Sequence, residues 1–119
     1  MCGRYASSLD PEDIVEEFEI RTALPGADLP RLPADYNVAP TKEVYAVLER
    51  PPRRESADGP ELPAERQLRT VTWGLVPSWA KDPKIGSRMI NARVETVAEK
   101  PAYRRAFEKR RTILPAAVV

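Results

Sequence analysis

Proline is the feature of this sequence that most restricts its fold. The 119 residues include 13 prolines, about twice the usual share of roughly 5%. Proline cannot donate a backbone hydrogen bond, and it is largely excluded from helix interiors and central strands. We therefore expect loops, short strands and fixed turns rather than long helices.

Local patterns predict where the short elements lie. Asp10 and Pro11 are residue types typical of a helix N-cap and a first helical position, which predicts a helix over residues 11–19. Pro101 likewise predicts the start of a second helix, with Tyr103 on its inward face. The segments predicted to be extended are 1–8, 43–49, 68–73, 91–96 and a strand that starts over 111–114.

The clearest strand pattern is in residues 43–49. Alternation places Val44 and Ala46, with Leu48, on one face, and Tyr45 with Val47 on the other.

Two proline-bearing segments are predicted to be loops. Residues 21–35 are expected to form a surface loop. Residues 50–66 are expected to form a long flexible connection, the place where insertions are tolerated best. The length of the chain fits one modest domain over residues 1–119.

Composition excludes several classes of protein and of site. No apolar run approaches the roughly 20 residues needed to span a membrane, and no signal peptide is recognised. One cysteine rules out an internal disulfide, so a reducing cytoplasm is the expected location. With no histidine and one cysteine, the usual zinc ligands are missing. We expect no metal, no cofactor and a monomeric chain.

Charge is distributed unevenly along the chain. Residues 1–80 carry nine basic and fourteen acidic side chains, a balance of −5, whereas residues 81–119 carry ten basic and four acidic ones, a balance of +6. A basic segment in a near-neutral protein indicates a local surface for an anionic partner. A solvated basic helix face would give the same balance.

Cys2 is the residue with the most distinctive chemistry. Removal of Met1 would leave an amine and a thiol on adjacent carbons, with ordinary pKa values of about 7.7–8.0 and about 8.5. Such a 1,2-aminothiol can condense with an aldehyde to an imine and close a five-membered thiazolidine ring. Gly3 allows close approach of the backbone, and Arg4 supplies a permanent cation suited to a phosphate. A terminal cysteine without function is the alternative interpretation.

Two further segments are candidate sites. Residues 73–79 (WGLVPSW) contain two tryptophans; we expect one to be buried, while Trp79 is a candidate platform for stacking a base. In a strand over 91–96, the polar residues Asn91, Arg93 and Glu95 would share one face. A solvated edge strand would have the same pattern.

Four motifs carry a resemblance to a known family. Residues 2–5 (CGRY), 36–41 (YNVAPT), 73–77 (WGLVP) and 90–96 (INARVET) occur in this order. With them the chain closely resembles the SRAP family, the SOS response-associated peptidase-like or abasic-site-processing proteins. Each motif alone is weak, but four in order, with the cysteine at position 2, are highly specific. The resemblance runs from Met1 to about Pro115.

The resemblance implies a fold and a function. The fold would be a compact α+β domain whose strands form a bent, barrel-like sheet with helices outside. Met1 would be removed, and Cys2 would form a thiazolidine with the ring-opened aldehyde of an abasic site in single-stranded DNA. The crosslink would shield the lesion from strand cleavage in the DNA damage response. By the same resemblance, the chain is a peptidase-like hydrolase that processes its own Met1.

The resemblance also assigns site residues. Asn91 is similar to the family's active-site asparagine, which helps to hold the sugar and the N-terminus. Two arginines match residues that grip the phosphates on either side of the lesion, and other residues match those that wedge or stack against bases. The residues that the resemblance places on the DNA are Arg4, Asn37, Pro40, Trp79 and Arg93.

The chain departs from the family at its C-terminus. Family members continue beyond the equivalent of residues 114–116 to an aromatic-Glu-Trp segment and then to a catalytic histidine, whereas this sequence contains no histidine. We therefore expect the N-terminal part of one SRAP domain, shortened or frameshifted, without the later strands of its sheet. Crosslinking by such a chain is expected to be slow and stoichiometric.

Three functions compete on the sequence. The first is covalent attachment to abasic sites. The second is noncovalent binding of single-stranded DNA by the basic segment 81–111 and Trp79, by a fragment or an inactive remnant. The third is general proteolysis, which is disfavoured because this chain supplies no base for turnover.

Overall fold

Two antiparallel sheets and short helices make up the computed structural model of the chain, which describes residues 2–21, 29–52, 54 and 56–117. The mixture of helices and strands confirms the predicted α+β class. No helix among the described residues is long and apolar enough to cross a membrane. In chain order the elements are β1 (Tyr5–Ser7), α1 (Pro11–Glu17), β2 (Asp35–Val38), β3 (Glu43–Arg50), β4 (Glu65–Thr72), a 3₁₀ helix (Pro83–Arg88), α2 (Arg104–Lys109) and β5 (Thr112–Ile113).

Strand β3 is the centre of the larger sheet, whose order is β4-β3-β5. It pairs with β4 along its whole length, and β5 pairs with its other edge at Val47 and Leu48. Strands β1 and β2 form a separate pair in which Tyr5 lies opposite Val38. The barrel-like sheet expected from the resemblance is not confirmed, because the described strands form two small sheets and no closed barrel.

Both faces of β3 are buried, and Val44 lies on the face opposite Tyr45 and Val47, as the alternation predicted. Val44 packs in a cluster on one side of the strand, and Tyr45 and Val47 pack in a second cluster on the other side. The first cluster contains Tyr5, Val38, Val44 and Trp73. The second contains Ile14, Ile20, Tyr45 and Val47, so that α1 packs on the face opposite the N-terminal cysteine.

Several predicted boundaries need correction. Helix α1 ends at Glu17 rather than at residue 19, and α2 begins at Arg104 because Pro101 lies in the preceding turn. Strand β4 begins at Glu65, inside the segment predicted to be the 50–66 loop. Of the two predicted loops, residues 22–28, 53 and 55 lie outside the described residues. The flexibility predicted for 50–66 stays a prediction.

The strand predicted over residues 91–96 is wrong. The carbonyl of Arg93 accepts hydrogen bonds from the N–H groups of Thr96 at 3.2 Å and Val97 at 2.9 Å, so the chain turns here instead of extending. All residues from 91 to 95 are exposed. Because none of these side chains is buried, no apolar face holds the segment against a neighbouring strand, and local turn hydrogen bonds prevail.

A close backbone contact fixes the loop that follows β4. Gly74 has a φ of +131°, and a Cβ at this position would lie 2.4 Å from the carbonyl oxygen of Gly86 in the 3₁₀ helix. Beside this contact, the N–H of Leu75 donates to the carbonyl of Met89 at 3.0 Å. Only glycine tolerates both the backbone angle and the proximity.

We predict that Gly74→Ala lowers the free energy of unfolding by at least about 1–3 kcal/mol, the usual cost of a strained backbone angle. The added methyl group also displaces the main chain of Gly86. Urea denaturation monitored by tryptophan fluorescence measures the change. The control is Gly3→Ala, because a Cβ there meets nothing within 4 Å. Equal stability of the two variants would contradict the prediction.

Candidate active site around Cys2

Cys2 is held beside the core by Tyr5. The Tyr5 ring is buried and meets Trp73 in an edge-to-face arrangement, with ring centroids 5.5 Å apart and an interplanar angle of 62°. Cys2 is half-buried against this cluster. Its thiol donates to the main-chain carbonyl of Arg4 at 3.1 Å. Cys2 is therefore packed against the core rather than left free in solvent.

An open pocket of about 290 Å³, which we call the Cys2 pocket, lies beside this thiol. Its wall is mainly apolar, and both Cys2 and Asn91 contribute to it. The C-terminal end of the described chain completes the wall, and the N–H of Ala117 donates to the carbonyl of Ala6 in β1 at 2.9 Å. The lining residues are Cys2, Tyr5, Trp73, Ile90, Asn91, Leu114 and Ala116.

Asn91 contacts the residue that carries the predicted nucleophile. Its side-chain Nδ2 donates to the main-chain carbonyl of Cys2 at 3.0 Å. The carbonyl oxygen of Asn91 in turn accepts a hydrogen bond from the hydroxyl of Tyr103 at 3.0 Å. The structure thus brings together Cys2 and Asn91, the two residues predicted to be catalytic.

Sequence reasoning missed the part that Tyr103 takes in this site. Tyr103 was expected to pack inward from a helix, and its side chain is indeed half-buried. Its hydroxyl, however, bonds to the main chain beside the Cys2 pocket. The one available signal was a tyrosine at an otherwise apolar helix position. Leu114 and Ala116 were missed as well, because nothing in their sequence indicates that they return to the N-terminus.

The two predicted phosphate-binding arginines are both exposed. Arg4 precedes β1, and its Nη1 donates to the carbonyl of Gly3 at 3.1 Å. Arg93 follows Asn91 in the turn, and no carboxylate in the described part of the chain forms an ion pair with its guanidinium. Both guanidinium groups are therefore accessible to an anionic ligand.

The segment with Asn37 and Pro40 is joined to Trp73 by its main chain. The N–H of Thr41, which follows Pro40, donates to the carbonyl of Trp73 at 2.9 Å, and the N–H of Trp73 donates to the carbonyl of Lys42 at 3.0 Å. Thr41 has a φ of +75°, an uncommon angle for a β-branched residue. Pro40 directly precedes Thr41, so this hydrogen bond also fixes Pro40 relative to Trp73. Asn37 is exposed and does not line the Cys2 pocket.

The two tryptophans differ in the expected way. Trp73 is 8% exposed and belongs to the core, whereas Trp79 is 61% exposed. Trp79 does not line the Cys2 pocket. Its indole is open to solvent, which a stacking role requires, but no described contact connects it to Cys2.

The pKa values of Tyr5 and Asp35, in the paired strands β1 and β2, are shifted from their ordinary values. Burial raises the pKa of the Tyr5 hydroxyl, and electrostatic interactions with Cys2 and Asp35 raise it further. The hydrogen bond from Lys42, at 2.7 Å, and the N–H of Asn37 lower the pKa of the Asp35 carboxyl. Within the described residues, no group of three or more His, Cys, Asp and Glu side chains could hold a metal ion.

Comparison with known protein families decides the membership of the chain. The sequence profile described as SOS response associated peptidase (SRAP) matches residues 1–118. The chain belongs to the SRAP family. This confirms the resemblance based on the four motifs. No solved structure matches the chain significantly.

Several curated SRAP relatives carry the name abasic site processing protein. YoaM of Bacillus subtilis is 40% identical over 116 residues, which cover 98% of this chain and 44% of YoaM. YedK of Escherichia coli is 32% identical over 120 residues, covering 95% of this chain and 44% of YedK. HMCES of Xenopus tropicalis is 29% identical over 120 residues, covering 92% of this chain and 35% of HMCES. The chain spans less than half the length of these relatives.

We predict that Asp35→Asn destabilises the protein near neutral pH but not in acid. The folded pKa of Asp35 lies below its ordinary value of 3.8, so its stabilisation is complete above that value and is lost as the pH falls through the folded pKa. Thermal unfolding of wild type and variant across this range measures the difference. In a Lys42→Met background the effect of Asp35→Asn should shrink, because the main cause of the shift is gone. A pH-independent difference would contradict the prediction.

Proposed function

We propose that this chain recognises abasic sites in single-stranded DNA and, once Met1 is removed, attaches to them covalently through Cys2. The observation that carries the proposal is the position of Cys2, which lines an open pocket while Asn91 holds its main-chain carbonyl. The names of the SRAP relatives support abasic sites as the target. Met1 lies outside the described residues, so its removal stays a prediction.

The proposed reaction joins the amine and the thiol of Cys2 to one aldehyde carbon. The amine adds to the aldehyde of the ring-opened sugar, and the resulting carbinolamine loses water to form an imine. The thiol sulfur then adds to the imine carbon and its proton passes to the nitrogen, which closes the thiazolidine. The balance is one water released for each crosslink. No bond of the DNA backbone is broken.

The residues around Cys2 would bind and orient the substrate for these steps. Asn91 would keep the N-terminal residue in place and contact the sugar. The exposed guanidinium groups of Arg4 and Arg93 would hold the phosphates flanking the lesion, because arginine presents a planar set of donors to phosphate. We propose base contacts for Asn37, Pro40 and Trp79, which are supported by the resemblance and by the exposure of Asn37 and Trp79. Four expectations from the sequence stay predictions: the single-domain boundaries, the monomeric state, the cytoplasmic location and a barrel-like sheet.

A second candidate function is noncovalent binding of single-stranded DNA. It is favoured by the concentration of positive charge in and around α2. Residues 100–111 contain six basic residues and one acidic residue, Glu108. All six are exposed. They are Lys100, Arg104, Arg105, Lys109, Arg110 and Arg111. Binding by this surface alone would be salt-dependent and would not need Cys2.

We predict that the mature chain begins at Cys2 and forms a denaturation-resistant adduct with abasic single-stranded DNA. Intact mass should equal protein plus DNA minus one water. Cys2→Ala should abolish the adduct and keep noncovalent binding, because the phosphate contacts remain. Cys2→Ser should give at most a labile imine, since a hydroxyl closes the ring less favourably. Retention of Met1 on most molecules, or a denaturation-resistant adduct with Cys2→Ala, would contradict the covalent mechanism.

We predict that Arg93→Glu weakens binding to single strands of any sequence and flattens its salt dependence. Each phosphate contact contributes about −0.7 to the slope of log affinity against log salt concentration. Fluorescence anisotropy in a salt series measures the slope. Arg50→Glu is a matched control, because Arg50 is exposed at the end of β3 away from Trp73. An unchanged slope in Arg93→Glu would show that Arg93 contacts no phosphate.

A further inference from the structure

Two consecutive hydrogen bonds connect α2 to Cys2. The hydroxyl of Tyr103 donates to the main-chain carbonyl of Asn91 at 3.0 Å, and the side chain of Asn91 donates to the main-chain carbonyl of Cys2 at 3.0 Å. We propose that Tyr103 is a positioning residue for the reaction at Cys2 and acts through Asn91. This inference rests on the proposed function of Cys2.

Asn91 lies in a segment with little support of its own. It is exposed and belongs to neither a helix nor a strand. Upstream, the carbonyl of Met89 is bonded to the N–H of Leu75, and downstream the carbonyl of Arg93 starts the next turn. Between Met89 and Arg93, the hydrogen bond from the Tyr103 hydroxyl to the Asn91 carbonyl is the one that the described residues make to the main chain. The orientation of the Asn91 side chain therefore depends on this hydroxyl.

Tyr103 is itself well fixed and can serve as an anchor. Its N–H donates to the carbonyl of Lys100 at 3.0 Å, and its carbonyl accepts from the N–H of Phe107 at 2.8 Å, so its backbone is part of the start of α2. Its ring is half-buried. Main-chain hydrogen bonds on both sides of Tyr103, together with its half-buried ring, give its hydroxyl a defined position.

The expected effect is on rate rather than on affinity. The carbonyl that Asn91 bonds is that of Cys2 itself, directly attached to the carbon carrying the amine and the thiol. Loss of the Tyr103 hydroxyl would let Asn91 adopt other orientations, and Cys2, which Asn91 holds, would then adopt unproductive ones. The phosphate contacts proposed for the arginines would be unaffected. A single neutral hydrogen bond predicts a slowing of about 2- to 13-fold.

We predict that Tyr103→Phe slows adduct formation at saturating DNA without changing the half-saturating DNA concentration or the thermal midpoint. The substitution removes one hydroxyl and keeps the ring. In an Asn91→Ala background the same substitution should cause no further loss, because the residue through which it acts is absent. Tyr36→Phe is the control, since Tyr36 is 78% exposed. A wild-type rate in Tyr103→Phe, or an equal loss in both backgrounds, would overturn the proposal.

An NMR experiment tests the same contact without the reaction. The sequence contains three side-chain carboxamides, those of Asn37, Gln67 and Asn91. The signals of Asn91 are identified by their absence in Asn91→Ala. Tyr103→Phe should shift or broaden the Asn91 pair and leave the other two unchanged. If the wild-type chain forms no adduct, the proposed function is wrong. The spectrum of Tyr103→Phe still shows, independently of the reaction, whether the Tyr103 hydroxyl positions the Asn91 side chain. Unmoved Asn91 signals in Tyr103→Phe would overturn the role of Tyr103.

Discussion

The packing of Tyr5 against Trp73 is the contact on which the arrangement of the site depends. A chain terminus is normally poorly ordered unless something ties it down. Here the buried ring of Tyr5 fixes the N-terminal segment, and Trp73 is fixed in turn by main-chain hydrogen bonds to Thr41 and Lys42. Cys2 lies three residues before Tyr5 and packs against this cluster, so its position depends on an aromatic pair in the core. An aromatic pair of this kind contributes about 0.5–1.5 kcal/mol beyond the area it buries.

The site combines packed apolar walls with exposed polar and charged side chains. Tyr5, Trp73 and Leu114 provide apolar walls, whereas Asn91, Arg4 and Arg93 are exposed. This division suits a large anionic ligand, because the charged backbone of a nucleic acid can stay on the surface while one sugar enters the pocket. The exposed cations would act in water, where their contribution is salt-dependent. The walls would exclude part of that water from the reacting atoms.

The sequence predicted the elements better than it predicted their contacts. The helix starts and the two faces of β3 followed from helix-start residues and from alternation, because these signals are local. The α+β class came from the family resemblance. The pairing of Cys2 with Asn91 came from the family resemblance; the reasoning from alternation relied on a strand over 91–96 that does not form. Tyr103 and Leu114 were not found, since their positions at the site depend on how distant parts of the chain return to one another. A polar alternation without a buried face was read as a strand, although nothing there imposes a register.

The C-terminal end of the described chain has a consequence for the order of folding. Ala117 bonds to Ala6 in β1, and the hydroxyl of Thr112 donates to the carbonyl of Val47 at 2.8 Å, so this segment connects to both sheets. Leu114 and Ala116 also supply part of the Cys2 pocket. Contacts between such remote positions carry a high loop-closure cost and form late. On the ribosome, Cys2 would emerge long before Leu114 and Ala116, which form part of the wall beside it. The thiol of Cys2 would therefore be exposed to solvent before the pocket around it has formed.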